Sequence, residues 1–98
     1  MYILYYKMWV YFFSGEKCKY CPEPKLALEE FAEENPKIAI AFKDNTDPLF
    51  KQFGLSKIPS MVIVESCGDI KKYEGRGYVH DEIERLSIIT KLNLTVEF

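Results

Sequence analysis

The chain opens on a long run of apolar and aromatic residues in which polar positions do not alternate regularly. From about Ile3 to Phe13 the run is rich in Tyr, Ile, Val, Trp and Phe, which fit the pleated surface of a strand. A strand with one wet face alternates between apolar and polar residues, so the absence of alternation predicts a strand covered on both faces. Ser14 and Gly15 end the run.

A change to helical spacing follows this strand. The apolar stripe of the predicted helix consists of Cys21, Pro24, Leu28, Phe31 and Ala32. Glutamates take the opposite side, and Asn35-Pro36 ends the helix. The short apolar run Ile38–Phe42 then predicts a buried strand, so the first half of the chain forms a βαβ unit with parallel strands.

The second half begins with a short helix and continues with a hairpin. Asp47 is a carboxylate cap, Pro48 fits the first helical position, and Gly54 closes the helix. Ser60–Glu65 and Ile70–Glu74 are rich in strand-forming residues and are separated by turn residues. They therefore predict two antiparallel strands.

The C-terminal part predicts a helix and one further strand. After a predicted loop at Gly75–Gly77, apolar spacing indicates a helix from Asp81 to about Lys91. Leu92–Phe98 alternates strictly between apolar and polar residues, which is typical of a half-buried strand. The order β-α-β-α-β-β-α, with this candidate extra strand, predicts an α/β fold whose mixed central sheet carries helices on both faces.

Length and composition narrow the class of protein. The 98 residues predict a single domain over residues 1–98, and the 48% of apolar residues excludes a disordered chain. The net charge of −2, with acidic and basic residues interspersed, argues against nucleic acid as the partner. Lys7 interrupts the first apolar run and no basic segment precedes it, so we expect no signal peptide, no membrane span and a cytoplasmic location.

Cys18 and Cys21 stand where the first strand ends and the first helix begins. Unpaired N–H groups at a helix N-terminus favour an anion such as a thiolate, and Lys17 and Lys19 act in the same direction. Such surroundings lower a cysteine pKa from about 8.5 to about 3.5–7.5. Cys21, one helical turn later on the same face, is expected to lie within disulfide range but to be more buried than Cys18. The pattern predicts that Cys18 attacks a substrate disulfide and that Cys21 resolves the mixed disulfide.

Two other uses of the cysteine pair deserve comparison. A zinc site needs four ligands, and the chain offers only Cys67 and His80 in addition, far away in the sequence. A purely structural disulfide across so short a loop would stabilise the fold weakly. Redox chemistry without metal or cofactor is therefore favoured, and a binding module with a redox-sensitive dithiol is the alternative. We expect Cys67 to be a bystander thiol.

Three features together resemble the thioredoxin superfamily: CKYCP after a buried strand, Ile58-Pro59 before the next strand, and Gly75 after the hairpin. The resemblance runs from Trp9 to about Leu92 and is greatest to the small glutaredoxin-sized thioredoxins with a CxYCP motif. It implies a three-layer thioredoxin-like fold and a thiol–disulfide oxidoreductase. It also implies a cis Ile58–Pro59 bond beside the dithiol, with the Ile58 backbone presented to an extended substrate.

The resemblance further implies the parts of the site and its partners. The implied substrate-binding residues are Tyr20, Ile58, Pro59, Gly75 and Arg76, and the implied cationic ring around the active cysteine is Lys17, Lys19, Lys57 and Arg76. The implied partners are protein disulfides as substrates and a reductase or the glutathione system as electron donor. We expect a monomer, with a dimer through the terminal strand as the alternative.

The chain departs from the family pattern at several positions. Lys17 replaces the Trp that often precedes the first cysteine, and Phe12 replaces a buried Asp that is thought to help deprotonate the second cysteine. Lys57 stands where glutaredoxins have the Thr of Thr-Val-Pro, which disfavours glutathione binding. We expect reduction of protein disulfides, with glutaredoxin-type, oxidising or isomerising exchange as alternatives.

Overall fold

The computed structural model describes the backbone of residues 8–96 and the side chains of residues 8–89. The elements follow the expected order. They are β1 (Met8–Ser14), α1 (Pro22–Glu34), β2 (Ala39–Asp44), α2 (Pro48–Gln52), β3 (Ser60–Glu65), β4 (Ile70–Glu74) and α3 (Arg76–Val96). The part of the first predicted strand that precedes Met8 lies outside the described residues.

The four strands form one mixed sheet in the order β2-β1-β3-β4. β1 and β2 are parallel, which confirms the predicted βαβ unit. β1 and β3 are antiparallel, and β3 and β4 form the predicted antiparallel hairpin. β2 is an edge strand with partly exposed side chains, so its prediction as a buried strand was wrong. β2 pairs with β1 on one side only, so the apolar residues of this short run are covered less completely than those of a central strand.

Side chains on the two faces of the sheet belong to two separate cores, because successive residues of a strand point to opposite faces. Phe12 and Phe13 are both 0% exposed, yet they belong to different cores. Phe12 lies in the core that α1 and α3 share with the sheet, while Phe13 packs against α2 through Phe50 and Phe53. β1 is therefore covered on both faces, and the three-layer α/β architecture is confirmed.

α3 is longer than predicted at both ends. It begins at Arg76 rather than after a loop at Gly75–Gly77, and the left-handed φ of 104° at Gly75 turns the chain from β4 directly into it. It also continues through residues 92–96, so the predicted terminal strand was wrong there, and Glu97 and Phe98 lie outside the described residues. No glycine or proline interrupts the chain after Gly77, and extending an existing helix adds one hydrogen bond for each residue fixed.

The longer α3 changes what is expected of the oligomer. A dimer through a terminal strand loses its basis over residues 92–96, because helical residues have no free strand edge to pair.

Within residues 8–96, no helix has both the length and the apolar character needed to cross a bilayer.

Candidate active site

Cys18 and Cys21 form a disulfide in the loop between β1 and α1. The S–S distance is 2.02 Å, and the two Cα atoms lie 5.4 Å apart. Cys18 is partly exposed, whereas Cys21 is only 3% exposed. The expected proximity of the two cysteines and the deeper burial of Cys21 are thus both observed. Cys18 is therefore the more accessible residue of the pair.

The cysteine loop is tied to the end of the sheet by backbone hydrogen bonds. The Cys18 N–H donates to the Gly15 carbonyl at 3.2 Å and closes a turn immediately after β1. The Asn45 N–H, just after β2, donates to the Ser14 carbonyl at 2.8 Å. Cys18 is therefore positioned at the carboxyl ends of the two parallel strands, which is where α/β sheets commonly bind ligands.

α1 begins one turn later than the sequence analysis assumed. Its first helical residue is Pro22, and Cys21 is the N-cap residue, so Cys18 precedes the helix. Among Pro22, Glu23 and Pro24 only Glu23 carries a backbone N–H, because proline has none. The helix dipole still faces the loop, but fewer N–H donors are available to a thiolate than in an ordinary first turn. Pro22 was the signal for the later start.

The Ile58–Pro59 segment lies against the cysteine loop. Its peptide bond is cis, as expected, and Pro59 is buried. Phe13 of β1 pairs with Ser60 of the antiparallel strand β3. The residues that follow Phe13 therefore lie beside the residues that precede Ser60. A Cβ atom placed on Gly15 would lie 2.5 Å from Ile58 Cδ1, so the loop and the Ile58 side chain are in direct contact.

Three hydrogen-bonding groups hold this segment in place. The Ser60 hydroxyl donates to the Lys57 carbonyl, and the Gly75 N–H donates to the Pro59 carbonyl at 2.8 Å. The Glu74 carboxylate accepts the N–H groups of Ser56 at 2.9 Å and of Lys57 at 3.2 Å. The Ser56 N–H bond to the charged form holds the pKa of Glu74 below its ordinary value. No sequence pattern pointed to Glu74, because its partners lie in another part of the chain.

Arg76 joins the cysteine loop to the first turns of both long helices. Its guanidinium carbon lies 5.6 Å from the centroid of the ring of Tyr20, a residue that stands between the two cysteines in the sequence. Its Nε atom lies 3.7 Å from Oε1 of Glu23 in α1. Lys19 Nζ also lies 5.7 Å from the Tyr20 centroid. The structure therefore brings Tyr20 and Arg76 together, and Glu23 is a contact that the sequence analysis missed.

The remaining cationic positions are distributed as follows. Lys17 and Lys19 are exposed in the cysteine loop, and Lys57 is exposed next to Ile58. Lys43 pairs with Asp47 at 3.6 Å and is therefore engaged outside the cysteine loop. The loop also carries an exposed acid, Glu16, so its surroundings are mixed in charge rather than purely basic.

Among the residues whose side chains are described, the buried carboxylate lies on α3 rather than on β1. Phe12, where the resemblance would place an Asp, is 0% exposed, and its ring centroid lies 6.0 Å from that of Phe42. Glu82 is 5% exposed and accepts two hydrogen bonds from Arg85, one of them at 2.8 Å. Burial, followed by the charge of Glu82, raises the pKa of Tyr73. The carboxylate of Glu82 therefore interacts with Arg85 and Tyr73.

Cys67 and His80 lie in two other clusters of side chains. Cys67 is exposed in the β3–β4 turn with Glu65 and Asp69, and His80 lies on α3 with Asp81 and Glu84. Neither of these two groups includes Cys18 or Cys21.

Comparison with known proteins identifies the fold. No family model and no curated protein sequence matches the chain. Among solved structures, a thioredoxin from Trypanosoma brucei brucei is 20% identical, with a TM-score of 0.69 over 87% of this chain and 76% of that one. MTB dsbF, in mixed oxidized and reduced forms, is 16% identical, with a TM-score of 0.71 over 84% and 80% of the two chains. The structure of a complex between ferredoxin:thioredoxin reductase and thioredoxin f2 matches at 17% identity and a TM-score of 0.69, over 85% and 77%. The chain has the thioredoxin fold, which confirms the resemblance at the level of fold.

Replacement of Glu74 should show a stability effect that depends on pH. We expect Glu74→Gln to lower the free energy of unfolding at neutral pH by about 0.5–1 kcal/mol, because an amide oxygen is a weaker acceptor than a carboxylate. The folded-state pKa of Glu74 lies below its ordinary value of 4.5. The contribution of the charged carboxylate is therefore full above the unfolded-state pKa and is lost as pH falls through the folded-state pKa.

Urea denaturation of both proteins between about pH 7 and about pH 3 measures this effect. The stability difference between wild type and Glu74→Gln should narrow at acidic pH. Glu29→Gln, which removes an exposed carboxylate of α1, controls for the change in net charge. A difference that stays constant over the whole pH range would show that the charge of Glu74 does not hold the Ser56–Lys57 backbone.

Proposed function

We propose that this protein is a thiol–disulfide oxidoreductase that reduces disulfides in other proteins. The observation that carries the proposal is the Cys18–Cys21 disulfide, in which residue Cys18 is partly exposed and residue Cys21 is 3% exposed. The thioredoxin fold and the contact between the cysteine loop and Ile58 support it. No metal or dissociable cofactor is needed, since the dithiol itself carries two electrons.

The reaction proceeds by two thiol–disulfide exchanges. In the reduced protein, the Cys18 thiolate attacks one sulfur of the substrate disulfide, and the other substrate sulfur leaves as a thiolate. The Cys21 thiolate then attacks the Cys18 sulfur of the mixed disulfide and displaces the second substrate sulfur. Two electrons pass to the substrate, whose thiolates take up protons from water, and the Cys18–Cys21 disulfide forms. An external electron donor restores the dithiol.

The substrate lies beside the cysteines on the surface formed by Tyr20, Ile58, Pro59, Gly75 and Arg76. An extended segment that runs past the Ile58 backbone would bring its disulfide to Cys18. The hydrogen bonds that the Ser56 and Lys57 N–H groups donate to the Glu74 carboxylate support this arrangement, because they limit the movement of the segment that precedes Ile58.

We place the reaction in the cytoplasm, with a reductase as the electron donor. Disulfides of cytoplasmic proteins are mostly transient and catalytic, which fits a single pair of close cysteines and a third, free one. The similarity to a thioredoxin solved in complex with a reductase supports this type of donor. The glutathione system is the second candidate donor.

Replacing each cysteine in turn should separate the two exchange steps. We expect Cys18→Ser to lower insulin reduction to the rate of dithiothreitol alone, because the more accessible cysteine of the pair is lost. Cys21→Ser should lose turnover but retain the first exchange, so that it accumulates a mixed disulfide visible by mass spectrometry. Cys67→Ser should keep the wild-type rate. A wild-type protein that binds disulfide substrates without turnover would instead indicate a redox-sensitive binding module.

The direction of electron flow follows from the reduction potential. A reductant of protein disulfides should have a potential nearer to the roughly −270 mV of thioredoxin than to the roughly −120 mV of a strong oxidant. Equilibration of the protein in glutathione buffers, with the state of Cys18 and Cys21 followed by alkylation and mass spectrometry, gives this value. A potential near the oxidant end would reverse the proposed direction and leave the exchange chemistry intact.

The lysines beside Cys18 should contribute to its ionisation. Because Pro22 and Pro24 remove two N–H donors from the first turn of α1, nearby charges gain importance. We expect Lys17→Gln together with Lys19→Gln to raise the pKa of the Cys18 thiol in the reduced protein by a few tenths of a unit, since exposed charges are screened. The ultraviolet absorbance of the thiolate measures the titration. Lys71→Gln is the remote control, and an unchanged curve in the double variant would exclude the two lysines from the mechanism.

A further inference from the structure

Arg76 lies near both parts of the proposed substrate surface, the cysteine loop and the Ile58–Pro59 segment. It is the first residue of α3 and follows Gly75, whose N–H bonds to the Pro59 carbonyl at 2.8 Å. Its guanidinium reaches the Tyr20 ring on the cysteine loop. A segment of substrate lying along the cysteine loop and the Ile58 backbone would therefore pass close to a positive charge.

The contacts of Arg76 orient its side chain without using up its hydrogen-bonding capacity. The Tyr20 ring, 5.6 Å away, attracts the cation and holds the planar group against the loop. The only ion pair shown for Arg76 among the described residues is with Glu23, at 3.7 Å. A guanidinium carries five N–H donors in a fork that suits a carboxylate, so one long contact leaves most of them available.

The pair with Glu23 is also easily exchanged. The two side chains are 53% and 68% exposed, and exposed ion pairs contribute little to stability because water and salt screen them. Arg85 on the same helix provides the contrast, since it forms two hydrogen bonds with the carboxylate of Glu82, whose side chain is 5% exposed. Arg85 serves the structure, whereas Arg76 has a partner that an incoming carboxylate can replace.

We infer that Arg76 selects substrates that carry a carboxylate beside the disulfide, and that Glu23 is an internal competitor for it. The inference rests on the proposed function and names its substrate class: acidic protein segments next to a reducible disulfide. When such a segment arrives, its carboxylate takes the place of Glu23, while Tyr20 keeps the guanidinium oriented.

A set of matched substrates tests the preference. Three disulfide-linked peptides are compared that differ only in one residue next to the attacked cysteine, which is Glu, Gln or Lys. The wild-type protein should show the highest kcat/KM for the Glu peptide and the lowest for the Lys peptide, with about a 3- to 5-fold difference between them, as expected for one exposed ion pair. The difference should shrink at high salt.

Two variants connect the preference to the named residues. Arg76→Gln should make the three kcat/KM values nearly equal, whereas Arg76→Lys should keep part of the difference. Glu23→Gln should raise kcat/KM for the Glu peptide more than for the Gln peptide. Lys71→Gln and Glu33→Gln, which make the same charge changes at remote exposed positions, should preserve the wild-type pattern.

The neutral disulfide of mercaptoethanol separates failure of this inference from failure of the proposed function. If the wild-type protein reduces it and shows equal kcat/KM for the three peptides, Arg76 does not select charge, although the oxidoreductase stands. A preference that survives Arg76→Gln would equally overturn the role of Arg76. If neither this disulfide nor any peptide is reduced, the proposed function falls and the inference falls with it.

Discussion

The antiparallel pairing of β1 with β3 is the constraint on which the site depends. Its register sets Phe13 opposite Ser60, so the loop that leaves β1 and the Ile58–Pro59 segment that enters β3 meet at one end of the sheet. Both strands are covered on two faces, because Phe12 and Phe13 of β1, like Met61 and Val62 of β3, are buried in different cores. A shift of this register by one residue would exchange the two faces and separate the cysteine loop from its neighbour.

The exposed fraction differs between the two cysteines and among three of the glutamates. Cys18 is partly exposed and Cys21 is only 3% exposed, so two chemically identical groups differ in accessibility. The carboxylates show a similar gradation. Glu82 is buried and forms two hydrogen bonds with Arg85, and Glu74 is partly exposed and orders the backbone before Ile58. Glu23 is the most exposed of the three and makes one long contact with Arg76 that a substrate can replace.

The start of α1 changes the electrostatic account of Cys18. In the simplest picture, a thiolate at a helix N-terminus is stabilised by several free N–H groups and by the helix dipole. Here the helix starts at Pro22, after the cysteine pair, and two of its first three residues lack an N–H. Under the proposed function, the dipole and the loop lysines would have to supply more of the stabilisation of a Cys18 thiolate.

Local patterns were enough to determine the element order, both strands of the hairpin and the cysteine pair, because spacing, proline and turn residues act within a few positions of the chain. They also implied, through the resemblance, the cis bond at Ile58–Pro59 that the structure contains. They misjudged residues 92–96, where alternation suggested a strand but continuation of α3 adds hydrogen bonds without a new nucleus. Tertiary structure alone decided the contacts of Glu23, Glu74 and Glu82, since an isolated glutamate in a sequence does not reveal which distant N–H or guanidinium it will meet. The burial of Cys21 was anticipated from its place on the apolar stripe, but the site around it depends on pairings between strands that are far apart in the chain.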